Sequence, residues 1–222
     1  MNGIEASQIA GWICFSILSI TTIRFYLITA SKRKITNPEK FSSNQRILAV
    51  LAFRNEELII KKSLPRVLSE TLSDKNCKLV LVNSASNDGS VKAILETIAE
   101  SGLEADSWCL INSDKPGKGR ALNMAMSNYV DGDIVIMIDA DALIPKGSFA
   151  TFRKFMSNEE IGAISAQESI RPEDPMSEYK TRSNEIRHFE SSSGQCPILE
   201  GSLLAWSPSR IEWSSFDENS NA

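Results

Sequence analysis

The sequence predicts an α/β fold in which a mostly parallel sheet is flanked by helices and preceded by one transmembrane helix. Three observations lead to this prediction. Short apolar runs alternate with stretches of helical periodicity, as expected for repeated strand and helix units. One of these runs, Ile134 to Ile138, leads directly into the two carboxylates of Asp139 and Asp141. Near the amino terminus, an apolar stretch of about membrane-spanning length carries a single charge.

The bulk composition excludes several classes of protein. Of the 222 residues, 42% are hydrophobic and 23% charged, which is ordinary for a globular protein. The formal net charge of -4 argues against a nucleic-acid partner, because proteins that bind nucleic acids usually have a basic surface. The four cysteines form no Cys-x-x-Cys pair, and His188 is the single histidine. We therefore expect reduced thiols and no zinc site.

Residues 1–34 are predicted to be a membrane anchor with a basic flank. From Ile9 to Ala30 only Arg24 is charged, and it lies near the carboxyl end, where its side chain can reach an interface. Ser31 to Lys34 then supplies three basic residues, which mark the cytoplasmic side of a span. The alternative is a buried amphipathic helix. The preferred interpretation is a membrane-anchored protein with its catalytic domain in the cytoplasm.

Residues 35–45 are predicted to form a polar linker without periodicity, and 46–222 the α/β domain. Pro65 is expected to kink the first helix of this domain or to end it early. The predicted strands are Ile47–Phe53, Leu79–Val82, Trp108–Ile111, Ile134–Asp139 and Ile161–Ala166. One helix is predicted to begin after Asn55, and the others are predicted at Val91–Ile98, Gly119–Tyr129 and Met176–Ser191.

Asp139 and Asp141 are predicted to bind a divalent cation at the carboxyl end of the fourth strand. Two residues apart in an extended chain, they point the same way, and their like charges repel unless a cation lies beside them. Hard oxygen ligands suit Mg²⁺ or Mn²⁺, with a substrate phosphate completing the coordination shell. The alternative is a solvated turn.

Three further loops follow the other strand ends, where open α/β sheets bind their ligands. Phe53 to Glu57 reads FRNEE, whose acids also suit the first turn of a helix. Asn83 to Ser90 reads NSASNDGS, which could surround a base or ribose or could form a turn and an N-cap. Asp114 to Arg120 contains three cations and two glycines just before a helix, which favours phosphate binding, although the spacing is not that of a Walker A loop.

Taken in order, the motifs FRNEE, VNSASNDGS, KPGKGRALNMAM and IDADA resemble the loops of the family 2 glycosyltransferases, an inverting group with the GT-A fold. The resemblance runs from about Arg46 to the end of the chain. It implies transfer of a sugar from a nucleotide-diphosphate sugar to a lipid or glycan acceptor, with Mg²⁺ or Mn²⁺ bound by Asp139 and Asp141. The residues that it assigns to nucleotide-sugar binding are Phe53, Asn55, Glu56, Asn83, Ser84, Asp88, Lys118, Gly119, Asp139 and Ala140.

The chain departs from the family pattern at Asn83 and Ser84. The family often has two aspartates there, and the second commonly reads uracil, so a UDP-linked donor is not implied. Leu199 to Trp206 resembles the acceptor-side segment of the family and makes Glu200, Gly201 and Trp206 acceptor candidates. Packing would account for Trp206 equally well, because large aromatic residues also dominate cores.

Trp213 to Ala222 resembles the approach to the last acidic motif of the family, which carries the catalytic base. The base is expected beyond Ala222, with Asp217 and Glu218 as the candidates within the chain. A hydroxyl that attacks an anomeric carbon needs a carboxylate within hydrogen-bonding reach. The predicted domain is therefore incomplete at its carboxyl end.

Two other functions remain open. The first is a non-catalytic domain that binds a nucleotide sugar or acts as a scaffold. The second is a sugar nucleotidyltransferase, which also combines a parallel sheet, a glycine and lysine loop and metal-binding acids. Its glycine-rich signature would follow the first strand directly, where this chain has FRNEE.

Overall fold

The computed structural model describes residues 3–30, 44–167, 169–170, 173–192, 199, 201–211 and 215–216, with the backbone alone at 3–10, 25–26, 28–30, 189 and 192. The chain divides into two compact units. One contains Met1–Thr36 and Glu168–Ile198, and the other contains Asn37–Gln167 and Leu199–Ala222. The predicted basic flank and most of the predicted linker lie outside the described residues. The predicted division at residues 34 and 45 stays a prediction.

The described residues form helices and strands in the predicted alternating order. Short 3₁₀ turns precede β3 and follow α4. The elements are α1 (Gly3–Ala30), β1 (Ile47–Phe53), α2 (Glu57–Ser73), β2 (Cys77–Ser84), α3 (Ser90–Ser101), β3 (Trp108–Ser113), α4 (Lys118–Ala125), β4 (Ile134–Asp139), α5 (Ser148–Met156), β5 (Ala163–Ser165), α6 (Ser177–Ser192) and β6 (Leu203–Trp206).

The amino-terminal helix α1 is present, but its predicted role as a membrane span finds no support. Its apolar side chains are exposed, with Trp12 at 70% and Leu18 at 67%. Thr21, Thr22 and Arg24 interrupt the apolar stretch. Within the part of the chain that the structure describes, no helix is both long enough and apolar enough to cross a membrane. The cytoplasmic orientation, which was derived from that span and its flank, is equally without support.

Helix α6 is the polar helix that the sequence predicts near this position. His188 lies on it with an exposed side chain. Lys180 in the first turn of α6 forms an ion pair of 2.8 Å between its Nζ and Oδ2 of Asp174, which precedes the helix. Nothing in the described part of α6 sets His188 apart from an ordinary surface residue.

The six strands form one sheet in the order β3-β2-β1-β4-β6-β5. Strands β1 to β4 are mutually parallel, whereas β6 runs antiparallel to both β4 and β5. In register, Phe53 pairs with Asn83, and Ala52 pairs with Asp139. The carboxyl ends of β1, β2 and β4 therefore lie together at one end of the sheet, as expected of parallel strands. We call this end, formed by the carboxyl ends of the strands, the carboxyl edge.

Both faces of the parallel strands are covered, which explains why their sequences are continuously apolar. Ile47, Ala49 and Leu51 of β1 belong to a core shared with α2, α3 and α5. Leu48 and Val50 belong to a second core on the opposite face, against α4. Packing on both faces thus holds the parallel strands in place, and the loops that follow their carboxyl ends can carry polar groups.

Helix α2 continues through Pro65 and does not end early, so that part of the expectation is wrong. The proline ring lacks the amide that would bond one turn back. Pro65 and Lys61 are both exposed, so water can reach the carbonyl that is left free. Leu64 and Leu68 on the buried face of the helix are only 0% and 2% exposed, and their packing holds the helix together across the proline.

Candidate functional site

A cavity of about 400 Å³ opens at the carboxyl edge of the parallel strands. The strand order reverses at β1, since β2 and β3 lie on one side of it and β4 on the other. Open α/β sheets bind their ligands in the crevice at such a point. The lining residues come from all four predicted loops, and they are Ala52, Phe53, Arg54, Glu56, Ser84, Pro116, Gly117, Lys118, Asp139, Ala140 and Asp141.

The carboxylate pair enters this cavity from the end of β4. Asp139 is the last residue of the strand, and its amide donates to the carbonyl of Ser202 at 2.9 Å. The hydroxyl of Ser63, buried on α2, donates to the carbonyl of Ala140. Asp141 follows with an exposed side chain. Strand pairing on one side and α2 on the other therefore fix the backbone that carries both acids.

Lys118 forms an ion pair with the first of these acids. Its Nζ lies 2.6 Å from Oδ1 of Asp139, and the two side chains are 40% and 31% exposed. Lys118 is the first residue of α4, next to Gly117, whose φ of 145° is a conformation that favours glycine. The backbone of the glycine loop thus turns sharply into a helix whose first side chain reaches across the cavity.

Ser84 lines the cavity, but its hydroxyl is occupied within the protein. Its Oγ accepts a hydrogen bond from the amide of Gly117 at 2.9 Å and donates to the carbonyl of the same residue at 3.3 Å. Ser84 is only 4% exposed. In this arrangement the hydroxyl holds the glycine loop in place, so it is not free to read a base.

Several predicted binding residues shape the loops and do not line the cavity. Asn55 has a positive φ of 55°, and its Oδ1 accepts from the amide of Asn87 at 2.9 Å. Asn83 accepts from the amide of Ser86 and donates to Asn112. Asn55 thus joins the loop after β1 to the loop after β2, whereas Asn83 bonds within the loop after β2 and to β3.

Asp88 and Gly119 are also structural. The Asp88 carboxylate accepts from the amide and the hydroxyl of Ser90 at the start of α3, and these hydrogen bonds hold the pKa of Asp88 below its ordinary value. The Ser90 hydroxyl in turn accepts from the amide of Glu56 at 2.8 Å. Gly119 is buried in the first turn of α4. Both residues support the walls of the cavity from behind.

Glu56 stands beside the carboxylate pair. The pKa of its carboxyl is raised above its ordinary value, first because burial disfavours the charged form, and then because Asp141 and Asp88 are negative charges nearby. Glu56, Asp139 and Asp141 thus place three acids around one cavity, with Lys118 and Arg54 as the cations that line it.

Four lining residues were not singled out from the sequence: Ala52, Arg54, Pro116 and Gly117. Arg54 is the most informative of them, because it is an exposed cation that directly follows a buried strand. Its position between Phe53 and Glu56 was the available signal. The other three line the cavity through small or backbone groups, which leave little trace in a sequence.

The acceptor candidates differ in their positions. Gly201 is exposed and precedes Ser202, whose carbonyl pairs with Asp139. Trp206 is 6% exposed and packs edge-to-face against Phe216, with ring centroids 5.9 Å apart. Trp206 therefore fills the packing role that the sequence left open. Glu200, Asp217 and Glu218 lie outside the described residues.

The donor set at the end of β4 fits a hard divalent cation that is completed by a substrate. Asp139 and Asp141 supply carboxylate oxygens, and Asp139 already attracts one cation, the ammonium of Lys118. Among the residues that the structure describes, no group of three or more His, Cys, Asp or Glu side chains could hold a metal by itself. Mg²⁺ and Mn²⁺ sites commonly use one or two carboxylates together with substrate phosphates.

Solved structures with this architecture were found. The mannosyltransferase PcManGT from Pyrobaculum calidifontis, in complex with GDP-Man and Mn²⁺, is 24% identical and covers 96% of this chain, with a TM-score of 0.68. Glucosyl-3-phosphoglycerate synthase from Mycobacterium tuberculosis, in complex with Mn²⁺, UDP-Glc and phosphoglyceric acid, is 21% identical and covers 75% of this chain, with a TM-score of 0.51. No curated protein matches the sequence. This chain spans 59% of the length of the first structure and 58% of the second.

The fold and the cavity together define a class, the α/β proteins with the GT-A fold and a ligand crevice between β1 and β4. The family model described as glycosyl transferase family 2 matches residues 49–200, which is more than half of the chain. The chain belongs to glycosyl transferase family 2. The family resemblance read from the four loops is thereby confirmed.

Proposed function

We propose that the chain binds a nucleotide-diphosphate sugar in this cavity and acts in a metal-dependent, inverting glycosyltransferase. The observation that carries the proposal is the meeting of Asp139, Asp141 and Lys118 around one cavity at the carboxyl edge of the sheet. The two acids could bind a metal, and Lys118 could bind a phosphate. In a crevice of about 400 Å³, these groups suit a ligand in which a diphosphate is linked to a sugar. Membership of the family supports the same reaction.

We assign the metal to Asp139 and Asp141 and the diphosphate to Lys118, with Arg54 as a second cation. A divalent cation held there would stabilise the negative charge that develops on the departing nucleoside diphosphate. Lys118 would add to that stabilisation from the start of α4. The two solved relatives whose printed names include Mn²⁺ and GDP-Man or UDP-Glc make both nucleotides reasonable donors to test.

We propose a hydroxyl group of a glycan or a lipid as the acceptor, entering beside Gly201. Its proton would pass to a carboxylate base, for which Asp217 and Glu218 remain the candidates within the chain. Asn55, Asn83, Asp88 and Gly119 would act on the donor through the loops that they shape. Phe53, Glu56, Ser84 and Ala140 would form the walls against which the nucleotide sugar lies.

Release of the nucleoside diphosphate tests this function directly. The full chain is incubated with GDP-mannose or UDP-glucose and Mn²⁺, and the release of nucleoside diphosphate is assayed. We expect slow release of nucleoside diphosphate that Asp141→Ala abolishes and Asp106→Ala leaves unchanged, since Asp106 lies in the 3₁₀ turn before β3, at the opposite edge of the sheet. Release of pyrophosphate in a parallel incubation with a nucleoside triphosphate and a sugar 1-phosphate would indicate a nucleotidyltransferase, and binding of the nucleotide sugar without any release would indicate a non-catalytic domain.

A further inference from the structure

The ion pair between Lys118 and Asp139 occupies the atom that a metal would need. Lys118 Nζ lies 2.6 Å from Oδ1 of Asp139. Asp141, the other acid of the pair, is exposed and has no ion pair among the described residues. Without a metal, the protein therefore already neutralises one half of its metal site with its own cation, and leaves the other half open.

From this geometry we propose that Lys118 is the internal counter-ion of the metal site and couples metal binding to donor binding. The proposal rests on the function proposed above. A divalent cation that approaches Asp139 meets the positive charge of Lys118 and has to displace it. The displaced ammonium loses its partner unless an anion is present in the cavity, and the diphosphate of the donor is such an anion. The protein thus binds the metal more tightly when the donor is present, and the donor more tightly when the metal is present.

The local structure allows Lys118 to exchange partners without a change of backbone. The two hydrogen bonds between Ser84 and Gly117 hold the glycine loop directly before the lysine. Helix α4 holds the backbone directly after it. The side chain itself is 40% exposed and has four flexible methylene groups. The ammonium can therefore turn from Asp139 to a phosphate while its Cα stays fixed.

The same arrangement fixes the sign of the coupling. The donor raises the affinity for the metal because it takes Lys118 away from Asp139. By thermodynamic linkage, the metal raises the affinity for the donor by the same factor. Replacing Lys118 with a neutral side chain of similar length should strengthen the binding of metal alone and weaken the mutual effect of metal and nucleotide.

The test measures Mn²⁺ affinity by electron paramagnetic resonance, with and without UDP or GDP, for the full chain and for three variants. For Lys118→Met we expect Mn²⁺ alone to bind about fivefold or more tightly than to the unchanged protein, and the enhancement by nucleotide to fall by a similar factor. Lys118→Arg keeps a cation and should resemble the unchanged protein. Lys115→Met removes a charge from the same loop at a side chain that does not line the cavity, and should also leave both affinities near their starting values.

The possible failures can be told apart. If Lys118→Met is folded by circular dichroism and binds Mn²⁺ no better than the unchanged protein, with the nucleotide effect intact, Lys118 is not the counter-ion and the inference is overturned. Equal changes in Lys118→Met and Lys115→Met would also overturn it, because they would reflect the net charge of the loop. If the unchanged protein binds no Mn²⁺ with either nucleotide, the proposed function itself fails.

Discussion

At the scale of single residues, the site is built from side chains that have distinct tasks although their sequence signals look alike. Ser84 and Lys118 both line the cavity, yet Ser84 is hydrogen-bonded to Gly117, and Lys118 forms an ion pair with Asp139. Asn55 and Asn83 carry polar groups that could bind a ligand, but Asn55 bonds to the loop after β2, and Asn83 bonds to its own loop and to β3. The side chains of Ser84, Asn55 and Asn83 are therefore already engaged within the protein.

Glu56→Gln tests the electrostatics of the cavity through the pH dependence of stability. The pKa of Glu56 is raised in the folded protein by burial and by Asp141 and Asp88. The folded state therefore holds this proton more tightly than the unfolded state does, and stability falls as the pH rises from the unfolded pKa through the folded pKa. Glutamine does not titrate, so the variant does not lose stability in this way as the pH rises.

We expect Glu56→Gln to be more stable than the unchanged protein at pH 7, and the difference to shrink as the pH is lowered through the raised pKa of Glu56 and to vanish by about pH 4.5, the unperturbed pKa of glutamate. Urea denaturation of both proteins across this range, without divalent cations, measures it. Glu104→Gln, at an exposed acid before the 3₁₀ turn, is the control and should show no such trend. A difference that grows toward low pH would contradict the account.

At the scale of elements, helix α2 holds the backbone between Asp139 and Asp141 from beneath. Its buried residue Ser63 donates a hydrogen bond to the carbonyl of Ala140, between the two acids. Farther along the same helix, both oxygens of Glu70 accept from the amides of Gly147 and Phe149 at the start of α5. Helix α2 therefore fixes the segment after β4 at both ends, from Ala140 to the next helix.

Ser63→Ala should weaken donor binding without removing any group that lines the cavity. The lost hydrogen bond is expected to lower the free energy of unfolding by about 1–2 kcal/mol. Because the backbone between Asp139 and Asp141 is then held less firmly, Mn²⁺-dependent donor affinity should fall as well. Urea denaturation and calorimetry measure the two effects, and Ser69→Ala, on the exposed side of the same helix, is the matched control. Donor affinity equal to that of the unchanged protein would show that α2 does not position the pair.

Helix α4 links the cavity to the far end of the described chain. It begins at Lys118, and its residue Asn123 makes two hydrogen bonds with the backbone of Phe216, donating to the carbonyl at 3.0 Å and accepting from the amide at 2.8 Å. Phe216 also packs against Trp206 of β6. The segment that leads to Asp217 and Glu218 is thus attached to the same helix that carries Lys118.

The elements were largely predictable because their burial leaves a direct mark on the sequence. Strands buried on both faces must be apolar throughout, and β1 and β4 could be recognised for that reason. The insertion of β6 between β4 and β5 depends on pairing between distant segments, which no local pattern records. The passage of α2 through Pro65 depends on packing of the opposite face, which is also a tertiary effect.

The site was predictable in its location but less so in its assignments. Loops at the ends of parallel strands must meet at one edge, so the cavity could be placed before its shape was known. Which polar side chains face a ligand is decided by hydrogen bonds such as those of Asn83 and Ser84, and these depend on loop conformation. Arg54 stands within the FRNEE motif but received no role from it, because its position between Phe53 and Glu56 does not by itself predict what a single cation binds.

At the scale of the whole molecule, the sheet and its four loops carry the proposed function. The unit that contains them, Asn37–Gln167 with Leu199–Ala222, holds every described residue of the cavity. The other unit contains α1 and α6, and the described apolar side chains of α1 are exposed. The central claim is therefore a claim about one edge of one sheet, namely that it binds a nucleotide sugar through a metal.

Calorimetric titration of the full chain with GDP-mannose and UDP-glucose, first with Mn²⁺ and then with EDTA, tests this claim most directly. We expect one of the donors to bind with Mn²⁺, and we expect EDTA or Asp141→Asn to weaken that binding by tenfold or more, corresponding to about 1.4 kcal/mol. Asp106→Asn should bind as the unchanged protein does. Binding that is equally strong in EDTA and in Asp141→Asn, or no binding to a folded chain, would contradict a metal-dependent nucleotide-sugar site at Asp139 and Asp141.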